Sequence, residues 1–379
     1  MDSCEVLIVG GGPAGSSCAK RLCEAGIETI ILDKATFPRD KVCGGWITPA
    51  VVEELRIDPA EYARGRVLQA ITGFRTGRMG DAEVETEYGR AVSYGVRRFE
   101  FDDYLLQRSG ARLILGRPLT SVERSGDGWV VNGEAVNEEI RARLLIGAGG
   151  HFCPVARYLG ASARKEEAVA AQEVEFEMSA EQREACAIRG NVPELYFCAD
   201  LKGYGWCFRK GDFLNIGLGR LDAHSLPGHV SEFVRGLKES GKIGFDLPAA
   251  MRGHAYLIFR ETKRQVVGDG VLLIGDAAGL AYSQSGEGIR PAVESGLLAA
   301  KAIIAAGGEY TRERLEGYRG MVGARFGETR ADWSTRIGSK LPPRVMQSVA
   351  RALLGTRWFS RRVVLDRWFL HINEPALDC

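Results

Sequence analysis

The chain has 379 residues, enough for two or three domains with a sizeable core. Its 50 Lys and Arg against 49 Asp and Glu leave a net charge of +1, which points away from nucleic acid and from an anionic surface as a global partner. Its nine cysteines include no C-x-x-C pair, which argues for reduced thiols in a cytoplasmic protein over disulfides or zinc, and no metal is expected. The first strand is expected beside Asp2 and Glu5, which leaves no room for a basic signal sequence. No apolar run reaches spanning length, so any membrane contact is expected to be peripheral.

The stretch from Cys4 to Asp33 organises the chain. Val6 to Val9 form an apolar run of strand length, after which Gly10, Gly12 and Gly15 fall in G-x-G-x-x-G spacing. Ala14, Cys18, Leu22 and Ala25 recur at helical intervals, Gly26 stops that helix, and Thr29 to Leu32 form a second strand ending on Asp33. This is the order a dinucleotide requires. Gly10 permits the turn, Gly12 lets a pyrophosphate approach the backbone, Gly15 lets helix and strand pack, and Asp33 is placed for a ribose hydroxyl.

Phe37 to Pro49 reads as a loop, because Pro38 and the Gly44-Gly45 pair forbid a helix, and Pro49 starts a helix over Ala50 to Leu55. Cys43 in that loop has two readings, a small buried residue or a thiol beside a reactive ring. Arg39 and Lys41 read as solvated charges. Alternation from Arg66 to Glu87, turning at Gly77 and Gly80, predicts a hairpin. Asp102 is expected to cap a short helix carrying Tyr104, Leu105 and Leu106. Strands follow at Leu113 to Leu115, Leu119 to Glu123, Trp129 to Asn132 and Ala142 to Ile146, the last running into Gly147-Ala148-Gly149-Gly150.

From Ala168 to Phe259 alternating strands dominate: Gln172 to Met178, Glu194 to Cys198, Gly205 to Arg209 and Phe213 to Leu218, interrupted by a helix from Gly228 to Ser240. This predicts an antiparallel sheet with a covering helix. Strand geometry puts Tyr204, Trp206 and Phe208 on one face, either an apolar wall or ordinary sheet core. A buried strand, Val271 to Ile274, leads into Gly275-Asp276-Ala277-Ala278-Gly279 and a helix from about Gly288 to Ala306, whose stripe of Ala292, Gly296, Ala299 and Ala300 allows close packing. Asp276 can accept ribityl hydroxyls, and the helix N-terminus suits the charge that collects on a reduced flavin. FAD therefore explains both glycine stretches, which NAD alone does not. The tail, Ile337 to Cys379, mixes Trp358, Phe359, Trp368 and Phe369 with Arg357, Arg361, Arg362 and Arg367. It reads either as a helical segment packed on the body or as a peripheral membrane contact.

The run Gly10 to Gly15 (GGGPAG), Arg98 in Y-x-V-x-R-x-x-F-D, the G-A-G-G turn and the later G-D-A-A-G together resemble the flavoproteins of the p-hydroxybenzoate hydroxylase fold. Within them the chain is similar, from Cys4 to Tyr310, to the geranylgeranyl reductase family. The narrower match rests on Lys41-Val42-Cys43-Gly44-Gly45, Tyr204-x-Trp206-x-Phe208 and Ser285-Gly286-Glu287-Gly288-Ile289. The expected fold is α/β: a Rossmann-like FAD-binding domain, discontinuous over 1–65, 97–165 and 262–335, an inserted antiparallel-sheet substrate domain over 66–96 and 166–261, and a C-terminal helical segment over 336–379. Candidate cofactor contacts are Gly10, Gly12, Pro13, Ala14, Gly15, Asp33, Lys34, Cys43, Gly44, Arg98, Gly149, Asp276, Gly286, Gly288 and Ile289. By the resemblance, Cys43, Tyr204 and Trp206 are the catalytic candidates, lining the space before the flavin and an isoprenoid chain. Leu201 and Arg209 replace prolines that usually flank the aromatic strand, Gly149 stands where many members carry an aspartate, and Ser283 stands where a proline often precedes the loop. These departures bear on substrate more than on FAD.

No second G-x-G-x-x-G is present, so NADPH or NADH would visit the flavin transiently, or a separate donor protein would reduce it. The favoured reaction is hydride transfer from reduced FAD to a carbon–carbon double bond of an apolar, isoprenoid-like or lipid-like substrate, with Cys43 or Tyr204 protonating the second carbon. One alternative is a monooxygenase or halogenase acting on a small apolar or aromatic substrate. Gly279, where aromatic hydroxylases usually carry His, and Tyr204 and Arg209, which break W-x-W-x-I-P, weigh against it. A non-catalytic flavin-binding or electron-carrier protein is the other, and a carrier needs no apolar wall.

Overall fold

In the computed structural model, which describes residues 2–133, 139–161, 166, 168–221, 223–259, 264–327 and 343–378, the first sheet is built around Asp2–Val9. Val6, Leu7 and Ile8 have no exposed surface, as befits a strand covered on both faces. It pairs in parallel with Thr29–Leu32 on one side and Ile140–Gly147 on the other. The order continues outward to Arg112–Ile114 at one edge, and to Val271–Leu273 and Val267–Gly268 at the other. Leu119–Ser125 and Gly128–Gly133 add an antiparallel flap on Ile140–Gly147.

Helix Pro13–Glu24 connects the first two strands, and a Cβ on Gly15 would fall 1.9 Å from the Gly10 carbonyl oxygen. Gly10 itself has a φ of 120°, which a side chain would strain. Helix Ile289–Ala306 crosses Pro13–Glu24, and a Cβ on Gly296 would lie 2.4 Å from the Ala14 carbonyl oxygen. The small-residue stripe is therefore a helix crossing in which backbones nearly touch.

The second sheet has seven strands in the order Arg252–Tyr256, Val169–Glu177, Phe213–Arg220, Gly203–Lys210, Glu194–Phe197, Gly73–Arg78, Val84–Glu87. Its pairings are antiparallel except that of Glu194–Phe197 with Gly73–Arg78. Helix Leu226–Glu239 covers one face, packing Val230, Phe233 and Leu237 on Cys207, Leu214, Ile216 and Leu218. Registers across the other face line up in rows: Tyr204 with Gly219, Ala171 and His254; Trp206 with Gly217 and Glu173; Phe208 with Asn215 and Glu175.

Two sequence expectations change. Only the Gly73–Arg78 and Val84–Glu87 hairpin joins this sheet, whereas Leu68–Ile71 and Ser93–Val96 form a separate three-stranded sheet with Trp46–Ile47, because the hairpin's flanking strands meet the Cys43 loop instead. Asp102 does not cap a helix. The helix starts earlier, at Arg98–Gln107, and Asp102 lies inside it, fully buried and ion-paired one turn on from Arg98. The tail's start at Ile337 lies outside the described residues. The tail is helical over Pro343–Leu354, Arg357–Phe359 and Ser360–Phe369 and non-helical after that, and its Val364, Leu365 and Phe369 are buried on the body. Trp46 and Phe369 stack at 5.6 Å, and Tyr204 meets Phe369 edge-on at 5.3 Å.

Candidate active site

The residues expected at the nucleotide end lie close together in the fold. Asp33 accepts the Gly11 N–H at 2.7 Å and the Ala35 N–H at 2.8 Å, which fixes its carboxylate beside the glycine turn. Gly149 joins from the neighbouring strand, its nitrogen 2.8 Å from where a Gly10 Cβ would stand. A Cβ on Gly12 would meet only Arg39 Nη2, at 3.6 Å. Arg39 is not a solvated charge. Its Nη2 pairs with Asp102 at 3.1 Å, and its Nη1 is buried with no hydrogen-bond partner among the described residues. Open space before Gly12, the Pro13–Glu24 N-terminus behind it and an unmatched guanidinium nitrogen beside it fit the pyrophosphate of FAD. Pro13 and Ala14 are buried as the first turn of that helix, while Lys34 is exposed.

At the other end, Asp276 sits in the Gly275–Ala277 turn, with Oδ1 3.2 Å from where a Gly288 Cβ would lie. It thus faces the Gly288-Ile289 start of helix Ile289–Ala306, the place expected for ribityl and flavin contacts. Tyr256 covers Gly286. Glu287, in the same loop, has both carboxylate oxygens buried without a partner among the described residues, and burial pushes its pKa up to about 7.

Between these ends lies the Cys43 loop, held by the second sheet. The Cys43 N–H donates to Glu173, Asn215 Nδ2 donates to the Cys43 carbonyl at 3.3 Å, and Lys210 Nζ donates to the Gly44 carbonyl at 3.0 Å. Trp206 Nε1 donates to Asn215 Oδ1 at 2.7 Å, so the indole orients the residue that orients Cys43. It lies over Gly217, where a Cβ would be 2.2 Å from the ring. Tyr204 donates its hydroxyl proton to the Ser285 carbonyl, and burial pushes its pKa well above the usual phenol value. That combination makes Tyr204 a clamp on the Ser285–Ile289 loop and a poor acid.

The buried Arg98 guanidinium holds Asp102 through bonds of 2.6 and 2.7 Å and also faces Cys43; burial opposes its charge, and Asp102 and Cys43 together raise its pKa. Lys41, also expected in solvent, lies with Nζ 3.0 Å from the ring nitrogens of His254, which is 3.9 Å from Asp276. Burial lowers the Lys41 pKa, and burial with Lys41 and Arg98 holds that of His254 down at about 3, so the imidazole is neutral and accepts from the ammonium. Glu173, Glu175, Lys210, Asn215 and His254 are the residues that strand alternation alone missed. Acids and amides alternating with apolar residues read as a solvent face, yet the Cys43 loop and the tail's Phe369, both far away in sequence, cover it.

Among the described residues no group of His, Cys, Asp and Glu could hold a metal, and no helix is long and apolar enough to cross a membrane. Residues 3–215 match the family described as FAD binding domain. A menaquinone reductase of Mycobacterium tuberculosis is 32% identical over 334 residues, covering 80% of this chain and 77% of its own. A digeranylgeranylglycerophospholipid reductase of Methanosphaera stadtmanae is 29% identical, over 86% of this chain and 83% of its own. The fold matches a geranylgeranyl bacteriochlorophyll reductase-like protein from Thermoplasma acidophilum with a TM-score of 0.76 at 20% identity, covering 94% and 92% of the two chains; flavin-dependent halogenases share the fold as well. By the matched FAD binding domain and the relatives it aligns with over most of its length, the chain belongs to the FAD-binding flavoproteins, in the geranylgeranyl reductase family of FAD-dependent oxidoreductases.

Proposed function

We propose that this enzyme saturates a carbon–carbon double bond of an isoprenoid chain, with Cys43 as proton donor. Relatives named for menaquinone and for digeranylgeranylglycerophospholipid support a long prenyl substrate. The observation that carries the reading is the Cys43 loop, gripped through both its N–H and its carbonyl and set beside the aromatic face of Tyr204, Trp206, Phe208, Trp46 and Phe369. Bound FAD supplies the hydride. The chain supplies the rest: Arg39 and the glycine turn take the pyrophosphate, Asp33 and Asp276 take the hydroxyls, the aromatic face excludes water and lays the prenyl chain down, and the Cys43 thiol delivers the second hydrogen as a proton. Arg98 opposite Cys43 stabilises the thiolate left behind. Tyr204 and Trp206 act as positioning residues. Electrons arrive from NADPH or NADH in a transient encounter or from a separate donor protein.

The chain draws its substrate from a lipid surface. Val345, Val349 and Leu353 of helix Pro343–Leu354 are 45%, 46% and 38% exposed, Trp358 just beyond is 68% exposed, and Arg357, Arg361 and Arg362 flank them. Val349→Asp with Trp358→Ala should abolish sedimentation with anionic vesicles; unchanged sedimentation rejects surface capture.

Cys43→Ala and Cys43→Ser, loaded with FAD and reduced anaerobically, test the chemistry. Both should keep flavin content and melting temperature and lose double-bond reduction. Wild-type turnover in both removes Cys43 from the reaction.

A further inference from the structure

Glu173 is 4% exposed, one of its carboxyl oxygens accepts the Cys43 N–H, and the other, Oε2, is buried with no hydrogen-bond partner among the described residues. Its neighbour on the same strand face, Glu175, takes the nearby cations: Lys210 is bonded to it, Arg97 Nε lies 3.5 Å away, and Asn215 Nδ2 donates to it at 3.3 Å. Two carboxyls side by side with the cations committed to one leave the other as the site for a proton. The remaining groups that face this corner are Lys41 from the Cys43 loop, turned to His254, and Arg98 from helix Arg98–Gln107, turned to Asp102 and Cys43. Gly217 beside Glu173 carries no side chain to shield it, and Trp206 fills that space with a ring whose only N–H is spent on Asn215.

We propose that Glu173 is the proton reservoir that resets Cys43 between turnovers, an inference that rests on Cys43 being the proton donor. During reduction the Cys43 S–H bond breaks and a C–H bond forms on the substrate carbon whose neighbour has taken the hydride, leaving a thiolate. The Glu173 O–H bond then breaks and the S–H bond re-forms, leaving a carboxylate that regains its proton from water. Burial raises the pKa of Glu173 to about 7, with Glu175 adding to the rise while the Cys43 N–H and the lysines oppose it, so the acid form is available at neutral pH. Glu173 touches no substrate in this scheme and acts through Cys43.

Glu173→Gln tests it, because a glutamine still offers an oxygen to the Cys43 N–H but has no proton to give. Anaerobic rapid-quench turnover of the FAD-loaded variant with a prenylated substrate should show one equivalent of product at the wild-type rate, then steady turnover slowed ~100-fold. The wild-type kcat should fall as pH rises through about 7, and that limb should vanish in the variant. Equal steady-state rates and equal pH profiles in the two proteins overturn the proposal. If Glu173→Gln loses FAD, the same profile of Glu173→Asp decides: a limb displaced from the wild-type one supports the reservoir, and an unmoved limb, which Glu287 would then account for, rejects it. Loss of the first turnover as well as the later ones also rejects it, since a residue that merely shapes the loop would act on every turnover. Full activity of Cys43→Ala is a different failure, that of the donor assignment beneath it.

Discussion

Lys210 ties the Cys43 loop to the second sheet, and replacing it with methionine gives a prediction in energy. Its side chain is 1% exposed, and its Nζ donates to the Gly44 carbonyl at 3.0 Å, the Val96 carbonyl at 3.1 Å and the Glu175 carboxylate. Lys210→Met keeps the apolar stem and removes all three bonds. Each orphaned carbonyl costs about 1–3 kcal/mol. Glu175 suffers less, because its side chain is 20% exposed and Arg97 and Asn215 remain near it. The sum is about 3–5 kcal/mol, in the range for breaking one partner out of a buried ion pair. Urea denaturation followed by tryptophan fluorescence measures it. Replacing both partners, Lys210→Met with Glu175→Leu, should recover part of the loss, because the stranded carboxylate is gone. Turnover should fall in the single variant, since the Gly44 carbonyl anchors the Cys43 loop. A loss below about 1 kcal/mol in Lys210→Met would refute the view that this lysine holds the two sheets' parts together.

Gly12→Val should fold normally yet bind no FAD, since a Cβ there meets only Arg39 at 3.6 Å in the free protein but would fill the pyrophosphate's space; flavin content after reconstitution against melting temperature separates the two effects. Arg39→Met should weaken FAD roughly 10- to 100-fold by fluorescence titration, as loss of a charged hydrogen bond predicts. Tyr204→Phe should cost about 1 kcal/mol by removing the bond to the Ser285 carbonyl while retaining most turnover, as measured by melting and by rate. His254, neutral and held at about 3 when folded against an ordinary value of 6.5, makes the unfolded chain bind more protons between those values. Stability is therefore fully present above the unfolded value and drains as pH falls through that window, and His254→Gln should flatten the acid limb of a stability-against-pH curve.

The nucleotide-binding half was legible because its signals are local. Gly10 to Gly15, Asp33, and Asp276 before a helix each fall inside one short segment, and in the fold Asp33 accepts the Gly11 N–H while Gly275, beside Asp276, lies against Ala14. The alternation of Tyr204, Trp206 and Phe208 likewise gave their common face. What stayed hidden depends on pairing across long stretches of chain. Glu173 lies 130 residues from the Cys43 N–H it accepts, Asn215 lies 172 from the carbonyl it reaches, and His254 lies 213 from Lys41. Polar residues at such positions read as a wet face until the covering loop is known. Asp102 was misplaced for a nearer reason: an acid before a run of apolar residues looks like a cap, and its true partner, Arg98, stands one helical turn earlier.

The central claim is that a prenyl double bond is reduced and no oxygen is inserted. Protein loaded with FAD, reduced with dithionite under strictly anaerobic conditions and given a panel of prenylated quinones and prenylated glycerolipids, should yield products heavier by two hydrogens, read by mass spectrometry. Products that form only in air, and that carry oxygen or halide, would contradict it.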